Sequence, residues 1–183
     1  DLIKASKEKD TISITLNGAK VLPATVLSEI KGKDISLNLD MENGFIWKIN
    51  GTSITAETPA DIDLSVTNTE EYIPAALYSL ISTNQNDFGF HLGRNGAFDF
   101  PAVLSVKADA SCAGLMANLF WYDAENGVLQ CIQTVTVGGA FERSIPYADF
   151  ALSKGQDYFI AFGTESLNGR VIHTDGSITD ENG

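Results

Sequence analysis

Apolar and polar residues alternate with a period of two along most of this chain, the pattern of strands that bury one face and wet the other. Ile12, Ile14 and Leu16 alternate with Ser13 and Thr15. Ile35, Leu37, Leu39 and Met41 alternate with Ser36, Asn38 and Asp40, and Phe45, Trp47 and Ile49 resume the beat after Asn43-Gly44. Runs of the same kind cover residues 62–66, 88–92, 98–100, 103–106, 119–122, 129–137, 141–145 and 158–162. The pattern predicts about ten strands and a mostly β chain.

Parity around the turns sharpens this. A two-residue turn at Asn43-Gly44 would set Asp40 opposite Trp47 and mix polar with apolar on one face. A three-residue loop Glu42-Asn43-Gly44 instead pairs Met41 with Phe45, Leu39 with Trp47 and Leu37 with Ile49, with Gly44 in the left-handed conformation of a turn plus bulge. By this parity Trp47 belongs to the core. The same loop length at Asn95-Gly96 predicts a second hairpin, pairing Leu92 with Phe98 and Phe90 with Phe100.

Two segments change period. In 21–30, Leu22, Val26, Leu27 and Ile30 share a helical face, and in 72–81, Ile73, Leu77, Leu80 and Ile81 do the same. Pro23 and Pro74 sit in the first turn, where a missing N–H costs nothing, and Gly32 ends the first helix. Pro23 and Pro74 lie 51 residues apart, and Asn43 and Asn95 lie 52 apart. The order strand, helix, strand, Asn-Gly turn, strand thus recurs. The expected fold class is mostly β with two short helices, as a β-sandwich or as two related β-subdomains from a degenerate internal duplication. The expected division is 1–10 as a linker or frayed helix, 11–68 as a first helix-and-hairpin unit, 69–163 as a second helix-and-hairpin unit with the closing strands that forms one compact domain with the first, and 164–183 as a polar linker or tail. Both ends read as those of a piece cut from something longer. Residues 10–16 read as an edge strand able to pair with another chain.

Charge narrows the function classes. The chain has 183 residues with 24 Asp and Glu against 12 Lys and Arg, a formal net charge of −12. No basic stripe is available to displace counterions from phosphates, so nucleic acid is excluded as a partner, and anionic membranes are disfavoured. No apolar run reaches the roughly 20 residues of a membrane-spanning helix. Cys112 and Cys131 lie among apolar neighbours and read as buried free thiols, although their spacing also allows a bridge.

The strings Ile14-x-Leu16-x-Gly18-x-x-Val21-Leu22-Pro23, Ile30-Lys31-Gly32-Lys33-Asp34-Ile35 and Met41-Glu42-Asn43-Gly44-Phe45-x-Trp47-x-Ile49-Asn50-Gly51 are followed by Ala113-Gly114-Leu115-x-Ala117-Asn118-Leu119-Phe120-Trp121-Tyr122 and by Gln156-Asp157-Tyr158-Phe159-Ile160. Together they resemble a recurrent β-rich module of secreted cell-surface and cellulosome-associated proteins of Gram-positive anaerobic bacteria, clostridial and ruminococcal. The resemblance spans roughly residues 11–163. It implies secretion or display at the cell surface, and it carries no catalytic residues to transfer.

Chemistry is sparse. Nucleophilic hydrolysis needs a Ser or Cys with a His base, and His91 is the one histidine in the expected folded part, alternating outward from Phe90 and Leu92. The second histidine, His173, lies in the expected tail, so a zinc site has too few ligands. Asp99, or Asp123 with Glu125, could form a carboxylate pair, but among 24 acids such pairs are cheap to find. Calcium is a possible use of Asp61 and Asp63, or of Asp175, Asp180 and Glu181, without a calcium-loop motif. Along Leu119-Phe120-Trp121-Tyr122 one aromatic pair must point away from the other, to be covered by a second layer or a helix or offered to a partner. If offered, Trp121 and Tyr122 would stack on sugar rings, with Asn118, Asp123 and Gln130 supplying hydrogen bonds. The expected function is a non-catalytic structural or interaction module, with another surface protein as partner. The alternative is a carbohydrate-binding module for a plant polysaccharide. No cofactor is expected beyond possible calcium.

Overall fold

The computed structural model of the chain describes residues 2–139 and 145–181. Its first half runs α1 (Leu2–Ala5), β1 (Thr11–Thr15), β2 (Val21–Leu22), α2 (Ala24–Ile30), β3 (Ser36–Asp40), β4 (Phe45–Asn50), β5 (Ile62–Asp63), β6 (Val66–Asn68), α3 (Ala75–Tyr78) and β7 (Phe88–Leu92). The second half runs β8 (Ala97–Lys107), β9 (Met116–Asp123), β10 (Val128–Thr136), β11 (Gly138–Gly139), β12 (Pro146–Lys154), β13 (Asp157–Gly163), β14 (Arg170–Ile172) and β15 (Ile178–Asp180). The chain is mostly β, with short helices and several sheets, a composition of the β-sandwich type. The strand expected over 141–145 lies outside the described residues, except for Ile145, which is not in a strand.

Two compact units are assembled from interleaved segments, which corrects the contiguous division at 68/69. Unit 1 takes residues 1–66, 92–106 and 151–155, and unit 2 takes 67–91, 107–150 and 156–183.

Unit 1 carries β1, β3, β4 and β8 side by side in that order, with the end of β12 also belonging to it. Parity predicts the β3–β4 hairpin correctly: Leu37 faces Ile49, Leu39 faces Trp47, and the Met41 N–H donates to the Phe45 carbonyl. Gly44 is left-handed as expected, and so is Glu42, which parity does not foresee. Leu37, Leu39, Phe45, Trp47, Ile49, Leu104 and Val106 form the buried side. Trp47 is 1% exposed and its Nε1–H donates to the Leu64 carbonyl at 2.9 Å, so even the polar edge of the ring is satisfied within the unit. The edge strand β1 pairs in parallel with β3, which requires the crossover that β2 and α2 provide. Helix α2 starts after Pro23, and since proline has no capping side chain, the Asp61 carboxylate accepts the Ala24 N–H at 2.7 Å instead.

Unit 2 is built on a sheet of order β15-β14-β10-β9-β13-β7-β6. Strands β9, β10 and β13 are its centre, in antiparallel register from Met116 to Asp123. The expected Asn95-Gly96 hairpin does not form. β7 takes β13 as its neighbour in this sheet, whereas β8 pairs with β4. Alternation fixes which face of a strand is buried but not which strand lies beside it. The backbone groups at this turn are held from elsewhere, the Gly93 N–H by the Ser65 carbonyl and the Gly96 carbonyl by the Gly155 N–H. The proline-led helix recurs, since α3 follows Pro74 as α2 follows Pro23, but the hairpin after it does not.

Residues 164–183, expected as a tail, are corrected as well: β14 and β15 extend the sheet from β10. They are three residues each, too short for their own periodicity to mark them.

Candidate functional site

The five candidate ligand residues lie on β9 and β10, and strand geometry divides them between two faces. On one face Asn118, Phe120 and Tyr122 alternate, and Leu129 and Cys131 stand across from Tyr122 and Phe120. Ile73, Leu77 and Ile81, from α3 and its flanks, pack with Phe120, Leu129, Phe159 and Ile172, and Tyr78 and Tyr122 lie partly buried against that cluster. The Tyr78 ring stacks on Phe159 with centroids 5.2 Å apart. The aromatic pair that the sequence leaves either covered or offered is thus covered by a helix. On the other face Trp121 stands between Gln130 on β10 and Tyr158 on β13. Tyr158 is fully buried and stacks on Phe90 at 5.2 Å, whereas Trp121 and Gln130 are half-buried. Burial also pushes the Tyr158 hydroxyl far above its usual range.

The polar candidates are engaged internally. Asn118 is 1% exposed and makes three side-chain hydrogen bonds. Its Oδ1 accepts from Thr134 Oγ1 at 2.7 Å and from the Leu167 N–H at 2.8 Å, and its Nδ2 donates to the Glu165 carbonyl at 3.1 Å. It anchors the 164–169 loop to the centre of the sheet. Asp123 is buried and caps the β9–β10 turn, its Oδ1 accepting the Glu125 and Asn126 N–H groups and its Oδ2 the Asn126 side-chain amide. Trp121, Tyr122 and Gln130 are the members of the set with partly exposed surface.

The other chemically capable groups are tied in likewise. His91, expected to face solvent, is half-buried: its Nδ1 lies 2.7 Å from Asp157 Oδ1 and the Tyr72 ring covers it at 4.5 Å. The two residues face each other across β7 and β13, which sequence distance hides. Asp63 accepts the Ser65 N–H, and Asp175 accepts the Ser177 N–H and hydroxyl, which lowers the Asp175 pKa. Asp109 is held low in the same way by Ser111. Among the described residues no three His, Cys, Asp or Glu side chains cluster to hold a metal ion. Both cysteines are buried free thiols, and burial raises both, Cys131 to about 11.

Three concavities lie among these elements. In unit 1 a cleft of about 430 Å³ lies on the wet face of the β1-β3-β4-β8 sheet, with Thr11, Asn38 and Lys48 beside Pro101, Val103 and Ala151. Polar parity of β3 and β4 was the signal for it, but alternation alone gives a flat face and no hollow. In unit 2 two hollows of about 360 and 300 Å³ share Ile81, Leu167 and Ile178. No family model, curated protein or solved structure matches this chain.

Proposed function

We propose that this chain is a non-catalytic interaction module, secreted or displayed at the cell surface, that presents surfaces to a partner and performs no chemistry on it. One observation carries the reading: the histidine, buried carboxylate and thiols that sequence singles out as candidates for chemistry are engaged in holding the fold. His91 is bound to Asp157, Asp123 to its own turn, Asp61 to the start of α2, and burial keeps both thiols protonated. What the surface offers instead is shallow relief lined by hydroxyl, amide and aliphatic groups. Display outside the cell rests on the resemblance to modules of secreted proteins.

The second reading is a carbohydrate-binding module. It is favoured by Trp121 and Gln130, which are direct cross-strand neighbours and both half-buried, so that an indole and an amide side chain share one face of the sheet. Affinity electrophoresis through soluble starch, xylan and pectin, with pull-down on cellulose, each with and without calcium, separates the two. The interaction module runs unretarded and releases no reducing sugar. Retardation that disappears in a folded Trp121→Ala variant establishes the carbohydrate reading instead, and turnover of any polysaccharide overturns both. A calcium requirement would assign a ligand role to the loop acids.

A further inference from the structure

The paired hollows of unit 2 lie beside a free strand edge. β15 is the last strand of its sheet, with β14 on one side only. The His173 N–H donates to the Ser177 carbonyl and the Glu181 N–H to the Gly169 carbonyl. In an antiparallel ladder hydrogen-bonded pairs alternate with non-bonded ones, so Thr179 bonds inward, and the backbone N–H and C=O groups of Ile178 and Asp180 point outward from the sheet. An edge of this kind is a template for one more strand.

The side chains beside that edge are apolar. Ile178 stands opposite the buried Ile172 and so faces the same side of the sheet. With Leu80, Ile81 and Leu167 it lines the hollows. Leu80 is 41% exposed and Ile178 49%, both large aliphatic side chains left in water at one place. The rim is acidic: Glu165 borders the groove, Asp180 and Glu181 follow Ile178 along the edge, and Asp175 lies in the turn before it. Arg170 offsets part of this charge through its ion pair with Asp180 at 3.2 Å.

We infer that the β15 edge is a docking site for an extended segment of a partner protein in which aliphatic residues alternate with Lys or Arg. Such a segment would bond to the outward backbone groups of Ile178 and Asp180, set its aliphatic side chains over Ile178 and Leu80 on one face, and bring its cations on the opposite face toward Glu181, within the field of the acidic rim. A second copy of this chain is disfavoured as the occupant. Pairing β15 with itself would bring two acidic rims close together, on molecules that each carry a charge of −12. The inference deepens the interaction-module reading by naming the chemistry of a partner.

The test uses the whole chain and a short synthetic peptide alternating Lys with Val and Ile, followed by fluorescence anisotropy at low salt and by amide hydrogen exchange. The expected result is saturable binding, new protection at Ile178 and Asp180, and at least about a tenfold loss of affinity in both Ile178→Lys and Glu181→Lys. Both positions are exposed, so these variants keep the fold, which circular dichroism checks. Absence of binding, protection elsewhere, equal binding of a Glu-for-Lys peptide, or equal binding of a backbone N-methylated peptide overturns the inference. So does a dimer by light scattering that Ile178→Lys dissolves, which would make a second copy the occupant. Failure of the peptide leaves the broader reading to the polysaccharide experiment, because neither outcome there depends on β15.

Discussion

Replacing Asn118 by alanine should loosen the 164–169 loop first and then weaken the whole unit. The side chain is almost fully buried and its three hydrogen bonds join β9 to β10 and to that loop. The Glu165 carbonyl lies at an exposed residue and regains water, so its loss costs little. The Leu167 N–H and the Thr134 hydroxyl are half-buried, and each loses a net contribution of about 1 kcal/mol, with part of a further desolvation penalty of ~1–3 kcal/mol. The expected destabilisation is therefore about 2–4 kcal/mol. Asn118→Asp keeps the acceptors for Thr134 and Leu167 but removes the donor to Glu165 and buries a charge. It should cost about 1–3 kcal/mol at neutral pH, and less in acid, where protonation restores a donor. Urea unfolding followed by circular dichroism gives the magnitudes. Amide exchange at Leu167 and at Gly169, whose N–H bonds to the Cys131 carbonyl, gives the order of events. A loss under about 0.5 kcal/mol in Asn118→Ala, with unchanged exchange in the loop, would refute the reasoning and return Asn118 to the pool of ligand residues.

Three further outcomes are expected. Cys131 is held protonated by burial, so its contribution to stability is complete below the thiol range of the unfolded chain, near 8.5, and is lost as pH rises toward about 11; urea midpoints should fall over that window, Cys131→Ala should flatten the fall, and native-state thiol labelling at pH 8 as fast as in urea would contradict this. Gly155→Ala should abolish stable folding of unit 1 or cost more than about 3 kcal/mol, because a Cβ there runs into the Arg94 carbonyl oxygen, main chain that cannot step aside; a thermal midpoint equal to that of the wild type would contradict it. Trp47→Phe removes the indole donor to the Leu64 carbonyl and leaves a small void, for about 2–3 kcal/mol by urea unfolding; a change below about 0.5 kcal/mol would mean that this bond contributes little.

What could be read in the sequence follows from what alternation encodes. Period two gives the buried faces of β1, β3 and β4 and locates β7, β9, β10 and β13 without settling the faces of β9, and around Asn43-Gly44 it also gives the register, because a slip by one residue would expose Trp47. At Asn95-Gly96 the same argument fails, since Leu92 and Phe98, like Phe90 and Phe100, can each be buried without facing each other. β12 was missed although Pro146, Ala148, Phe150 and Leu152 are buried in alternation; two small or ring-closed residues at its start dilute the hydrophobic signal. The candidate site was legible as composition only. Asn118 and Asp123 are near the aromatics in sequence, but their partners at Glu165, Leu167 and Asn126 are set by strand pairing and turn geometry. The His91–Asp157 contact bridges 66 residues. The unit 2 groove needed β15, three residues whose pairing comes from β14 and not from their own pattern.

The interleaving of the two units sets the order in which this chain can mature on the ribosome. Unit 1 draws its last segment from residues 151–155, so more than four-fifths of the chain must be synthesised before that unit is complete. Until then β8 and its neighbours wait while residues 107–150, which belong to unit 2, emerge between the pieces. The usual scheme, in which an N-terminal domain closes while the next is still being translated, does not apply. No cut in the chain frees either unit whole, and a protein that spaces several such modules in tandem gains its folded length one whole module at a time.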